Sequence, residues 1–147
     1  MTPPLRDPAA LARRPEQLDA AWAQRVLAHH APGAEVRGVA LRRVDVGTTT
    51  RVWLEVDHEV ADQPRRWFVK LPSRSWRARA ITALPQLPQT EVRFYAEVAP
   101  RLGVPRPRAL AAVSRVGRGF TLVLEDVVAG GAEVGAPGLA LTAAQAG

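Results

Sequence analysis

Five short apolar segments, three in succession and two later, constrain the fold of this chain more than any other feature. They span Val36–Val46, Arg51–Val56, Arg66–Leu71, Ala109–Val113 and Phe120–Glu125. Most alternate apolar with polar residues or form a short apolar run, and both patterns are typical of strands in a buried sheet. Short turns join the first two segments and the last two, so those neighbours are expected to pair antiparallel.

Two helical patterns complete the fold. Apolar residues fall on one face from Leu18 to His30, and Pro32-Gly33 ends that run. A second amphipathic helix is expected from Thr90 to about Leu102, and a short basic helix over residues 73–84. The sequence therefore predicts an α+β fold: a five-stranded antiparallel sheet with one main packing helix plus an N-terminal helix.

Composition excludes several classes of protein. The chain has 147 residues and no Cys, which removes disulfide frameworks, thiolate metal sites and cysteine nucleophiles. Its three His leave little for a zinc site, and no metal-binding residues are predicted. No apolar run approaches the roughly 20 residues of a membrane span, and the first residues do not resemble a signal peptide. A cytoplasmic protein without a membrane partner is expected.

The charge is strongly basic. The net charge is +6, and Lys70 is the one Lys among 20 cationic residues. The arginines are scattered rather than clustered, which argues against nucleic acid as the partner. The alternative is a non-catalytic basic module for nucleic acid or another acidic partner, using Arg74, Arg77, Arg79, Arg106 and Arg108.

Lys70 lies inside the third predicted strand. Alternation places Trp67, Val69 and Leu71 on one face of this strand, and Phe68 and Lys70 on the other. A lysine in this position is either at the sheet edge with its ammonium in water, or buried and paired.

Glu91 lies at the start of the second predicted helix. At 100° per residue it falls in the middle of an apolar face with Phe94, Tyr95 and Val98. A carboxylate that faces a core needs a cationic partner, and Lys70 is a candidate. Alternatively, Glu91 occupies the first helical turn beside an N-cap at Thr90, where the helix dipole favours a carboxylate.

Two further elements carry possible chemistry. The turn Gly47-Thr48-Thr49-Thr50 contains glycine and hydroxyls, and such a turn can bring backbone N–H groups to a phosphate. The last strand runs from Phe120 into Glu125-Asp126, followed by Val127 and a Gly-rich link. That pattern also fits an inner strand with a solvated end.

The order of these elements (Gly turn, strand Lys, helix Glu, apolar strand into Glu-Asp) resembles the small lobe of the protein-kinase-like fold. More narrowly, it resembles the aminoglycoside phosphotransferases and the choline- and ecdysteroid-kinase-like phosphotransferases. The resemblance covers residues 18–128. It is carried by Val69-Lys70-Leu71-Pro72, Glu91-Val92-Arg93-Phe94-Tyr95, Val104-Pro105-Arg106-Pro107 and Leu122-Val123-Leu124-Glu125-Asp126-Val127.

The resemblance implies an ATP site. Lys70 would contact the α- and β-phosphates and be oriented by Glu91. The turn formed by Gly47, Thr48, Thr49 and Thr50 would lie over the phosphates, although it has one Gly where protein kinases have three. The segment Leu124, Glu125, Asp126 and Val127 would be the hinge that offers backbone groups to adenine. The implied reaction transfers the γ-phosphoryl group of ATP to a hydroxyl of a small molecule, with Mg²⁺ in the complete enzyme.

The catalytic half of such an enzyme is absent from the sequence. No His-Gly-Asp segment occurs, so no catalytic residue is predicted and the chain is expected to be inactive alone. The expected organisation is a loose segment over residues 1–17, an ATP-binding small lobe over 18–128, and over 129–147 a Gly/Ala-rich link with the start of a truncated large lobe. An isolated lobe of this kind would expose its interface and could self-associate. A remnant with no biochemical role is the third possibility, and the acceptor substrate stays open.

Overall fold

The computed structural model describes residues 2–73, 92–94, 97 and 107–127. One α-helix, α1 (Ala20–His30), precedes five strands. They are β1 (Gly38–Val46), β2 (Thr49–Asp57), β3 (Arg66–Pro72), β4 (Ala109–Arg115) and β5 (Gly119–Glu125). All five form one antiparallel sheet in the order β1-β2-β3-β5-β4.

The predicted fold class is confirmed. The five expected strands are present, and each lies within about two residues of its expected bounds. The pairing across the Thr-containing turn and the hairpin over residues 115–119 are also as predicted. Gly117 and Gly119 adopt positive φ angles of 73° and 110° in that hairpin, which explains why glycine is needed there. The architecture is compatible with a kinase-like small lobe.

One face of the sheet packs under α1 and is called the α1 face. Trp67, Val69 and Leu71 of β3 are buried on it, as alternation predicted. From α1, Trp22, Ala23, Val26 and Leu27 belong to the same core cluster. The rings of Trp22 and Trp67 meet edge to face with centroids 6.0 Å apart, so the helix is fixed over the middle strand.

The segment before α1 is packed against the sheet rather than loose, in contrast to the expectation for residues 1–17. Leu5 forms a parallel bridge with Ala111 of β4, through hydrogen bonds of 2.9 Å to Leu110 O and from Ala112 N. Ala10 and Ala12 are fully buried. Small side chains let this backbone approach the core closely, a long-range effect that the local Pro- and Arg-rich composition does not reveal.

The second core cluster lies on the opposite face of the sheet. It consists of Val92, Ala112, Phe120, Leu122 and Leu124. Residues 92 and 93 are helical, so part of the helix predicted from Thr90 is described and packs on this face. The bounds of that helix, the basic helix expected over 73–84 and the segment 129–147 lie outside the described residues. Within the described ranges, no helix has the length and apolar character needed to cross a membrane.

Candidate functional site

Lys70 lies on the face of β3 opposite α1, together with Phe68. Both side chains are half-buried, while Trp67, Val69 and Leu71 on the other face are almost fully buried. The alternation predicted for this strand is therefore confirmed. This surface, called the Lys70 face, is also the one on which Val92 packs, because Phe68 contacts the Val92 cluster.

Strand pairing places two rows of side chains across the Lys70 face. The row that contains Lys70, called the cation row, runs Asp45, Arg51, Lys70, Leu122, Ala112 from β1 to β4. The next row, called the aromatic row, runs Arg43, Trp53, Phe68, Leu124, Ala109. Members of a row are directly opposite one another, and the rows are about 7 Å apart because two residues of strand separate them.

The aromatic row contains a pair of rings in contact. Trp53 and Phe68 have ring centroids 5.0 Å apart at an interplanar angle of 58°. The guanidinium carbon of Arg43 lies 4.8 Å from the centroid of the Trp53 ring, a cation–π distance. Trp53 is not among the predicted site residues, because its position opposite Phe68 depends on the register between β2 and β3.

Ion pairs surround the cation row. Asp45 is shared by two guanidinium groups, that of Arg51 in a short contact and that of Arg43 at 4.0 Å. Further along the same hairpin, Arg42 pairs with Glu55 at 2.7 Å. Asp45 therefore faces two cations, whereas Arg42 and Glu55 match one to one.

The turn of Gly47, Thr48, Thr49 and Thr50 is only partly suited to an anion. Gly47 and Thr48 are exposed at the tip, and Thr49 is half-buried opposite Pro72 at the end of the Lys70 face. The Gly47 N–H donates to Thr49 O at 3.0 Å, and Ser73 Oγ donates to Gly47 O at 2.8 Å. The N–H of Gly47 is thus occupied within the turn, and Thr49, two residues before Arg51 on the same strand, is the turn residue that lies on the Lys70 face.

Thr50 is separated from the other predicted turn residues. Its side chain is fully buried and alternates with Val52 and Leu54, so it belongs to the α1 face. Thr50 Oγ1 has no hydrogen-bond partner among the described residues. Thr50 and Lys70 therefore lie on opposite faces, and the period of two along the strand is the reason.

The predicted hinge, Leu124 to Val127, begins on the Lys70 face. Leu124 is buried directly opposite Phe68 in the aromatic row. The Glu125 N–H donates to Arg108 O at 2.8 Å and the Asp126 N–H donates to Arg66 O at 3.0 Å. Those two backbone donors are used within the protein, so they are not offered to a ligand. Val127 follows at the end of the strand.

Glu91 lies outside the described residues, so its pairing with Lys70 stays a prediction. Its neighbour Val92 is 3% exposed, whereas Phe94 is 39% exposed. The helical wheel placed Phe94 on the apolar face, and for Phe94 this was wrong. Residues 94 and 97 have π-helical backbone rather than the α-helical backbone on which the wheel of 100° per residue is based.

The residues of the alternative basic surface are described only at Arg108. Its guanidinium reaches Asp62 O at 3.4 Å and His30 Nδ1 at 3.4 Å. Arg108 is thus engaged in joining the β2–β3 loop to the end of α1. Arg74, Arg77, Arg79 and Arg106 lie outside the described residues.

Metal-binding groups in the described part of the chain and similarity to known proteins are two further sources of evidence on function. Among the described residues, no group of three or more His, Asp or Glu could hold a metal ion. Comparison of the chain with protein-family models, with curated proteins and with solved structures finds no match.

Proposed function

We propose that this chain is the ATP-binding small lobe of a phosphotransferase, in which Lys70 contacts the phosphates of ATP. One observation carries the proposal. The single Lys of the sequence lies half-buried on a sheet face, between a hydroxyl-bearing turn and a pair of aromatic rings.

The order of groups on this face supports a nucleotide. Thr49 stands at one end, the cation row follows, then the aromatic row, and Val127 lies beyond Leu124 at the other end. From Pro72, opposite Thr49, back to Phe68 is four residues of strand, or about 13 Å. A nucleotide carries its phosphates at one end and a flat base at the other, so a cation beside the turn and rings further along match both ends.

The chemistry of each group fits its place. A compact ammonium neutralises phosphate oxygens as a point charge. Stacking of an aromatic ring on a nucleobase contributes about 1–3 kcal/mol of binding free energy per base. In the proposed arrangement Trp53 and Phe68 face the base, Thr48 and Thr49 lie nearest the phosphates, and Glu91 orients Lys70.

The proposed reaction transfers the γ-phosphoryl group of ATP to the hydroxyl oxygen of a small molecule. Lys70 holds the α- and β-phosphates and offsets their charge, while a large lobe would bind the acceptor molecule and supply the general base, since no His-Gly-Asp segment occurs in the sequence. We propose that the chain alone binds ATP without transferring its phosphoryl group. The proposal also places the protein in the cytoplasm, where ATP is available.

Calorimetric titration with ATP tests the proposal. Lys70→Gln should weaken ATP binding about tenfold or more, because a charge-assisted contact is lost. Arg25→Gln is the matched control, since it removes one positive charge from the exposed side of α1, which packs on the opposite face of the sheet. Equal ATP affinity in the wild type and Lys70→Gln would overturn the site, and no ATP binding by the wild type would overturn the function.

A further inference from the structure

We infer that Arg51 is a second phosphate-contacting cation and that Asp45 competes with the ligand for it, an inference that rests on the proposed function. Arg51 and Lys70 are directly opposite each other on β2 and β3. Directly opposed side chains on one face have Cβ atoms about 5 Å apart, so one polyphosphate can meet both cationic groups.

The placement of like charges is the first support. Two cations in direct opposition destabilise a sheet unless an anion lies between or beside them. Asp45 supplies one such anion, from the position opposite Arg51 on β1. It is also 4.0 Å from Arg43, so a single carboxylate serves two guanidinium groups.

The charge of the row gives the second support. Among the described residues, the guanidinium groups of Arg43 and Arg51 share the single carboxylate of Asp45, so positive charge exceeds negative charge around that carboxylate. The neighbouring Arg42–Glu55 pair is balanced and adds nothing to that excess. A ligand with several negative charges would be favoured over one with few, because it can neutralise more of the row.

The exposure of the Arg51–Asp45 pair makes exchange feasible. The side chains are 44% and 34% exposed, respectively. Ion pairs that are partly exposed to water contribute little net stability, so the guanidinium can leave the carboxylate at small cost. Its planar fork can bind two phosphate oxygens at once, as it can the two oxygens of a carboxylate, so a phosphate can take the place of Asp45.

Asp45 therefore sets the affinity and selectivity of the site. While Asp45 is ionised, a phosphate must displace it to reach Arg51. Removal of that charge frees the guanidinium and should strengthen polyphosphate binding. A ligand with one phosphate, held by Lys70 alone, should respond little to either residue.

The test measures binding of ATP, AMP and inorganic tripolyphosphate to the wild type and five variants, one of which is Lys70→Gln. Arg51→Gln should weaken ATP and tripolyphosphate binding about tenfold and change AMP binding less than about twofold. Asp45→Asn should tighten ATP and tripolyphosphate binding at least about threefold. Arg42→Gln and Glu55→Gln are the matched controls, because they remove the same charges from the balanced pair on the same hairpin.

The outcomes separate this inference from the proposed function. If Arg51→Gln binds ATP and tripolyphosphate as Arg42→Gln does, while Lys70→Gln still binds ATP weakly, the role of Arg51 is overturned and the ATP site at Lys70 stands. If Asp45→Asn binds ATP and tripolyphosphate no more tightly than Glu55→Gln does, Asp45 does not compete with the ligand for Arg51. Loss of tripolyphosphate binding in Arg51→Gln, with ATP affinity unchanged in Lys70→Gln, supports Arg51 and overturns the Lys70 site. If the wild type binds neither ATP nor tripolyphosphate, both the proposed function and the role of Arg51 are overturned.

Discussion

Thr121 Oγ1 and the backbone of Ala12 form two hydrogen bonds to each other. The hydroxyl accepts from Ala12 N and donates to Ala12 O, each at 2.7 Å, and both residues are fully buried. Residues 109 positions apart are thereby joined on the α1 face. One side chain satisfies both polar groups of a buried backbone unit, so the segment before α1 can lie on the sheet without leaving them unpaired.

Thr121→Val should lower the free energy of unfolding by about 2–4 kcal/mol, because a buried donor and a buried acceptor of Ala12 lose their partner. Urea denaturation at neutral pH measures the loss. Thr48→Val is the control, since Thr48 is exposed at the turn. If the two variants unfold at the same urea concentration, the contact with Ala12 does not stabilise the fold.

We expect the free energy of unfolding to fall in mild acid because His30 is partly buried in the folded chain. His30 Nδ1 lies 3.4 Å from Arg108 Nη2, which can only donate, so the ring proton lies on Nε2 and is donated to Leu110 O at 2.7 Å. Burial lowers the pKa of His30 from its ordinary value of 6.5; the bond to Leu110 raises it, and the charges of Arg108 and His29 lower it further.

The pH dependence of stability follows from the difference between the pKa of His30 in the folded chain and in the unfolded chain. Below pH 6.5 the unfolded chain binds a proton at His30 that the folded chain does not yet bind, so stability falls as pH drops through 6.5 toward the lower folded pKa. The His30→Gln variant should lose less stability than the wild type between about pH 7.5 and pH 5. Parallel urea denaturation at both pH values measures this difference, and an identical loss in the two proteins would contradict it.

Gly119→Ala should destabilise the β4–β5 hairpin. Gly119 has φ of 110°, and an added Cβ would lie 2.9 Å from Pro72 Cγ. The cost is expected to be about 2 kcal/mol or more in unfolding free energy. Gly47→Ala is the comparison, because a Cβ there meets nothing closer than Thr49 O at 3.9 Å. It should change stability by less than about 0.5 kcal/mol, and equal melting temperatures for the two variants would argue against the steric account.

Phe68→Leu tests the aromatic row as a base-binding surface. Leucine keeps the apolar contact with the Val92 cluster and removes the ring that lies against Trp53. ATP affinity should fall about tenfold through lost stacking, whereas tripolyphosphate, which has no base, should bind as before. Equal loss for both ligands would indicate a general distortion of the sheet, and no loss for either would place the base elsewhere.

The fold and part of the site could be predicted from local patterns. The five strands follow from alternation and turn residues, which depend on neighbours only a few positions away. The same period of two placed Lys70 and Phe68 together on one face, away from Trp67 and Val69. The period was not applied to the turn, and for that reason the burial of Thr50 on the opposite face was missed.

The tertiary structure decided which residues from different strands meet. Asp45, Arg51 and Lys70 share a row because of the register between three strands, and Trp53 meets Phe68 for the same reason. The segment before α1 packs on the sheet because Ala12 and Leu5 meet Thr121 and Ala111, which lie more than 100 positions later in the sequence. Short-range preference sets the conformation of each strand, whereas these contacts depend on the sum of burial and pairing over the whole sheet, which no local stretch of sequence contains.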